Sequence, residues 1–164
     1  MLRAAAIDPK TYRDAMAQIA EAVHVVTTDG PHGRRGLTAT AFTSVSDRPA
    51  TVLVCVNRSK QGNALFLKNG VFAVSTLASG QQAVADMFSG LGGHGVEERF
   101  AIGEWETGET GAPMLKGCLA SFDCRISESI DVATHHVLFG RVTGIRIGDS
   151  LSPLIYHRRA YRSG

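Results

Sequence analysis

A segment of small and hydroxylated residues is the first candidate for binding chemistry in this sequence. It covers residues 36–44 and includes Thr38, Ala39, Thr40 and Ala41. Small side chains let a flat ring or a phosphate approach the backbone closely, and hydroxyls supply neutral hydrogen-bond donors. A threonine-rich strand without any ligand explains the same residues, because threonine favours β-sheets. Taken alone, the segment leaves both interpretations open.

Two further segments could hold a phosphate. Asn57-Arg58-Ser59 follows an apolar run and precedes a predicted helix. Asn57 or Ser59 would cap that helix, and a phosphate at the same N-terminus would meet free N–H groups and the positive end of the helix dipole. Arg99 lies in the charged run 97–100. It is either a solvated surface charge or the source of a forked contact with a phosphate.

The adjacent histidines His135 and His136 invite a metal interpretation. Neighbouring side chains of a strand point to opposite faces, so the two rings cannot easily share one ion. The other histidines show no ligand spacing, and the cysteines complete no zinc pattern. We therefore expect no metal catalysis. A single histidine that faces a cleft could still orient a cofactor.

The usual nucleotide and nucleophile motifs are missing. The glycine-rich stretch 30–36 does not match Gly-x-Gly-x-x-Gly at the start of a helix, and the sequence has neither a Walker phosphate loop nor a Gly-x-Ser-x-Gly elbow. Any nicotinamide nucleotide must therefore bind without a Rossmann domain.

Strands dominate the pattern of predicted elements. Asp8 and Pro9 begin a helix whose apolar spacing continues to residue 23, and shorter helices are predicted over 60–67 and 81–88, with a glycine-rich loop over 89–97. The βαβ rhythm of a parallel sheet is absent, so six or seven antiparallel strands are best closed into a barrel. The predicted strands cover 23–28, 37–45, 51–56, 71–77, 118–127, 137–147 and 154–156.

Composition places limits on the setting. The 164 residues, 44% of them hydrophobic, suit a single domain over residues 1–164. A net charge of +2 gives no strong field for nucleic acid or a membrane surface. No signal segment or membrane span is apparent, and the three cysteines suggest no disulfide framework. These features predict a cytoplasmic protein with neither nucleic acid nor a membrane as partner.

Read together, the segments resemble the short-chain flavin reductase family. The similarity is greatest to the reductase components of two-component aromatic monooxygenases, such as 4-hydroxyphenylacetate 3-monooxygenase, and to the pyrimidine-utilisation flavin reductase. The blocks lie in family order and span nearly the whole chain. They cover 12–17, 22–28, 36–46, 53–59, 98–100, 111–115, 121–126, 134–135 and 154–156, together with Gln81, Phe88, Trp105 and Tyr161.

The resemblance implies a mainly β protein with peripheral helices, a Greek-key FMN-binding split barrel that acts as a homodimer. It implies that NADH reduces FMN, with NADPH and FAD as alternatives, and that reduced flavin passes to a separate flavin-dependent monooxygenase. His135 would lie beside the nicotinamide and the flavin. The matching cofactor-binding residues are Thr38, Ala39, Thr40, Ala41, Cys55, Val56, Asn57, Ser59, Arg99 and Tyr161.

Two other functions remain open at this stage. Split barrels host several cofactors, so a non-catalytic flavin- or haem-binding module is one alternative. An oxidase that permanently retains its flavin is another. Many relatives have Gly-Asp-His where this chain has Ala133-Thr134-His135, which leaves the nucleotide preference open.

Overall fold

A seven-stranded antiparallel sheet forms the body of the protein. The computed structural model describes residues 6–149 and 151–164. The sheet has the strand order β3-β2-β6-β9-β10-β5-β4. The strands are β1 (Glu21–Ala22), β2 (His24–Thr28), β3 (Arg35–Ala39), β4 (Phe42–Asp47), β5 (Ala50–Asn57), β6 (Val71–Thr76), β7 (Trp105–Thr107), β8 (Pro113–Leu115), β9 (Ala120–Val132), β10 (His135–Ile147), β11 (Leu154–His157) and β12 (Ala160–Ser163).

The sheet curls because its two outermost strands are consecutive in the sequence. Only Thr40 and Ala41 separate β3 from β4, and so short a link spans at most about 11 Å. Across this closure the rings of His24 on β2 and Phe42 on β4 lie with centroids 4.7 Å apart. The prediction of one continuous strand over 37–45 was therefore wrong. The chain leaves one edge of the sheet at residue 40 and enters the opposite edge at residue 42.

Two apolar clusters pack on the two faces of the sheet. Val26, Val54, Phe72 and Leu138 belong to the cluster on one face. Val25, the neighbour of Val26, belongs to the second cluster, which includes residues of α3. Every residue of β2 is buried, because this central strand is covered on both faces. Four of its five residues are β-branched, a composition that predicts a strand.

The longest elements are β9 and β10, which form a hairpin with thirteen residues in each strand. The strand predicted over 118–127 is confirmed, but β9 covers Ala120–Val132. Its buried residues include the polar Ser121 and Asp123, whereas Ala120 and Phe122 are only half-buried. The hairpin turns at Ala133 and Thr134, and Ala133 has a φ of 48°. The mainly β, antiparallel prediction is confirmed.

The helices are α1 (Pro9–Met16), α2 (Ala64–Asn69), α3 (Gln82–Phe88) and α4 (Val96–Ala101). The Asp8 carboxylate accepts the Thr11 N–H at 2.9 Å and caps α1, as predicted, although the helix ends at Met16 instead of reaching residue 23. Two predicted helices begin as single 3-10 turns, at residues 61–63 and 79–81. The sequence pattern did not predict α4 or the short strands β1, β7, β8 and β12. Within the described residues, no helix is long and apolar enough to cross a bilayer.

Candidate functional site

A cleft of about 530 Å³ opens where the chain crosses from β3 to β4. Segments far apart in sequence meet there: the crossover, the end of β5, the start of β10, and α4. The cleft is lined by eight of the eleven residues that the sequence analysis selected. They are Thr38, Ala39, Thr40, Ala41, Cys55, Asn57, Arg99 and His135.

The crossover forms one wall of the cleft and offers backbone donors. Neither the Thr40 nor the Ala41 N–H donates to a backbone carbonyl or a side chain within the described residues. Free backbone N–H groups at the edge of a cleft are strong donors for a ligand. The Thr38 hydroxyl, by contrast, donates to the Ala85 carbonyl at 2.7 Å. It therefore has only lone pairs to offer, a difference from its expected role as a donor.

The opposite wall is formed by the paired strands β5 and β10. Asn57 lies directly opposite His135 in the register, and Cys55 lies opposite Val137. His135 Nδ1 is 2.9 Å from the Thr134 hydroxyl, so Nε2 is the ring nitrogen left for a ligand. Burial raises the pKa of the Cys55 thiol, which keeps it protonated and unreactive at neutral pH.

Asn57 and Ser59 form a turn of their own instead of capping a helix. The Asn57 Oδ1 accepts the Ser59 N–H at 2.8 Å and the Ser59 hydroxyl at 2.7 Å. Ser59 is exposed and does not line the cleft. The capping prediction was wrong because the 3-10 turn at residues 61–63 comes between this segment and α2.

Val56 and Tyr161 also lie outside the main cleft. The Val56 side chain is 1% exposed and packs in the core, since it points away from the face that carries Cys55 and Asn57. Tyr161 lines a neighbouring recess of about 280 Å³ together with Tyr156, and the centroids of the two rings are 5.4 Å apart. That recess shares residues 38–40 with the main cleft.

Arg99 is a buried cation and not a surface charge. It is 7% exposed, its Nε donates to the His94 carbonyl at 3.1 Å, and its Nη1 donates to the Gly36 carbonyl at 3.0 Å. Both acceptors are neutral, so the positive charge of Arg99 is not compensated by these contacts. A buried charge without a counter-ion is costly, which favours an anion in the adjoining cleft.

Three further polar residues line the cleft but were not predicted from the sequence: Arg35, Lys60 and Asn63. Arg35 Nε donates to Asn63 Oδ1 at 2.9 Å. Burial lowers the pKa of the Arg35 guanidinium, and the nearby charge of Arg99 lowers it further. The period of two in β3 could have identified Arg35, because it places residues 35, 37 and 39 on one face of the strand.

Known proteins that are similar to this chain are flavin reductases. A family model described as a flavin reductase like domain matches residues 16–164. The FMN reductase (NADH) RutF of Ancylobacter novellus is 48% identical over 161 residues, which cover 98% of this chain and 88% of that protein.

Solved structures share the fold over nearly the full length. BorF, the flavin reductase component of a bacterial two-component tryptophan halogenase, has a TM-score of 0.88 at 33% identity and covers 95% of this chain and 98% of its own. The NADH:FAD oxidoreductase SgcE6 of Streptomyces globisporus C-1027, solved with NAD and FAD fragments, has a TM-score of 0.85 at 31% identity. That match covers 97% of this chain and 96% of its own.

Proposed function

This chain belongs to the flavin reductase-like family, and on that premise we propose that it is an NAD(P)H:flavin oxidoreductase. It uses NADH to reduce FMN on a single domain of residues 1–164, and it supplies the reduced flavin to a separate monooxygenase. The family resemblance found in the sequence is confirmed. The observation that carries the proposal is the convergence of eight selected residues, drawn from separate segments, on one cleft.

The cleft suits FMN in size and charge. Its volume of about 530 Å³ lies within the range of roughly 300–1,000 Å³ that is usual for small-molecule sites. The small side chains of Ala39 and Ala41 leave room for a flat ring at the crossover. Arg99 and its cationic neighbours suit a phosphate at the other end, and among residues 6–149 and 151–164 no carboxylate lines the cleft.

Bound FMN would supply the redox chemistry by accepting electrons from the nicotinamide, so no protein nucleophile is required. The free N–H groups of Thr40 and Ala41 would bind the polar edge of the flavin and stabilise negative charge there. His135 would orient the rings through Nε2, because its Nδ1 is engaged by Thr134. The recess between Tyr156 and Tyr161 would receive the nicotinamide dinucleotide beside the flavin.

The reduced flavin is a product that leaves, and its use lies with a second enzyme. A dissociation constant in the micromolar range, about −8 kcal/mol of binding free energy, would suit release better than picomolar retention. The three cysteines are all free, as suits the reducing cytoplasm in which we place the transfer.

We also propose a homodimer, in which the second subunit covers the open side of the cleft. The register places Cys55, Val137 and Ile130 in one row across β5, β10 and β9, and Asn57, His135 and Val132 in the next. Cross-strand partners share one face of a sheet. Ile130 and Val132 are 45% and 53% exposed, so an apolar surface continues from the cleft to the hairpin tip.

The enzyme assignment is tested by mixing the protein with NADH and a catalytic amount of FMN, and by following the loss of NADH absorbance. We expect NADH oxidation that requires both protein and flavin. His135→Ala should lower kcat about tenfold, since the rings lose an orienting contact. The control His136→Ala should stay within about twofold, because His136 lies on the opposite face of β10 and pairs with Asp131.

The alternatives give different outcomes in the same assay. A protein that holds flavin through gel filtration and oxidises no NADH would be a non-catalytic binding module. A flavin that is bleached by an organic substrate without nicotinamide would indicate an oxidase. Rates with NADPH and FAD in place of NADH and FMN measure the cofactor preference directly.

A further inference from the structure

Three cations line the cleft, and two of them, Arg35 and Arg99, lie close to each other at one end. The third is Lys60, and none of the described residues that line the cleft is an aspartate or a glutamate. Within the part of the chain that the structure describes, none of the three takes part in an ion pair. Like charges held close together repel, so this end of the cleft is prepared for an anion of more than one charge.

Arg35 and Arg99 are held in different ways. Arg99 uses Nε and Nη1 on the carbonyls of His94 and Gly36, which ties α4 to β3. Arg35 uses Nε alone, on Asn63 Oδ1. A guanidinium has five N–H donors in a planar fork, so both terminal nitrogens of Arg35 stay available for a ligand.

The side chain of Asn63 fixes the orientation of the Arg35 guanidinium. Asn63 is buried, and its Nδ2 donates to the Asn57 carbonyl at 2.9 Å, which turns its Oδ1 toward Arg35. Gly62 provides the space, because a Cβ there would lie 3.1 Å from the guanidinium carbon. The fork is thus preorganised, and less side-chain entropy is lost when it binds an anion.

Building on the proposed function, we infer that Arg35 is the specificity residue that selects a flavin with a terminal phosphate, FMN, over riboflavin. A phosphate monoester carries about −1.5 to −2 charges at pH 7 and offers three acceptor oxygens. Such a group would relieve the repulsion between the two arginines and accept hydrogen bonds from the terminal nitrogens of Arg35. Riboflavin has no phosphate and gains nothing from this end of the cleft.

The test is a comparison of two flavins on two matched variants. Equilibrium dissociation constants for FMN and riboflavin are measured by quenching of flavin fluorescence, without nicotinamide. Arg35→Gln should lower the affinity for FMN about 30-fold, equivalent to about 2 kcal/mol. It should change the affinity for riboflavin less than about threefold. The control is Arg34→Gln, whose guanidinium is paired with Asp29 and lies over the Phe100 ring. It should bind both flavins like the wild type.

Two outcomes would overturn the inference: an Arg35→Gln variant that keeps the full preference for FMN, or one that loses affinity for both flavins equally while remaining folded. If Arg35→Gln does not fold, the comparison is made with Arg35→Lys. This variant keeps the charge but loses the planar guanidinium, and it should lower the affinity for FMN about fivefold. Failure of the proposed function is a separate result. In that case the wild-type protein oxidises no NADH with either flavin, whatever its binding preference.

Discussion

Two polar side chains beside the cleft, Arg99 and His24, are buried. Arg99 donates to two neutral carbonyls, those of His94 and Gly36. His24 lies behind the crossover, where its ring contacts Phe42 and its Nδ1 is 3.0 Å from the Thr76 hydroxyl. Both residues are buried: the first lines the cleft, and the second packs against the wall formed by β3 and β4.

The burial of His24 predicts a pH dependence of stability. Desolvation lowers its pKa to about 4 from an ordinary 6.5. Between these values the unfolded chain binds a proton that the folded chain does not, so stability is complete above pH 6.5 and falls as the pH decreases toward 4. The loss attributable to His24 should reach about 3 kcal/mol.

Chemical denaturation at several pH values measures this effect. His24→Gln should flatten the dependence between pH 6.5 and 4 relative to the wild type, although its stability at pH 7.5 should be lower because a packed ring is lost. His157→Gln, which removes a histidine outside the core, should keep the wild-type slope. An unchanged slope in His24→Gln would show that other groups cause the acid sensitivity.

At the scale of elements, Gly36 on β3 connects the packing of α3 to the positive end of the cleft. A Cβ at this position would lie 2.4 Å from the Phe88 ring and 3.2 Å from Phe100, and the Gly36 carbonyl accepts from Arg99. Gly36→Ala should therefore cost about 1–3 kcal/mol of unfolding free energy by overpacking. It should also lower the affinity for FMN, because a shift of β3 would displace Arg99, which is bonded to the Gly36 carbonyl.

Denaturant unfolding and FMN binding, measured on the same samples, check both parts of this expectation. Gly80→Ala is the matched control, since a Cβ at Gly80 meets nothing within 4 Å. It should leave both quantities close to those of the wild type. A Gly36→Ala variant as stable as Gly80→Ala would mean that Phe88 moves aside at little cost.

At the scale of the whole molecule, the apolar surface beside His135 predicts self-association. We expect twice the mass of one chain by size-exclusion chromatography with light scattering. Val132→Glu should shift the protein to the monomer and lower NADH turnover with FMN, because a charge in an apolar interface is costly. Leu67→Glu, a substitution on α2, is the control. A wild-type monomer with full activity would contradict the dimer proposal.

Much of the fold was predictable because its signals are local. The alternation of apolar and polar residues in β9, the β-branched residues of β2 and the Asp8 cap depend on neighbouring residues alone. The element boundaries were less predictable. The short strands β7 and β8 have only three residues each, too few to show an alternating pattern.

By itself, the sequence determined the antiparallel class, because the pattern of strands and turns is local. It also determined the family and most of the residues at the cleft, because the motifs that carry the family resemblance lie in order along the chain. Only the tertiary structure decided that the strand breaks at Thr40 and Ala41, since the break arises from closure of the sheet. It also decided that Arg35 joins Arg99, residues separated by 64 positions whose charges meet only through folding. Proximity of two charges that lie so far apart in the sequence leaves no periodic trace in it.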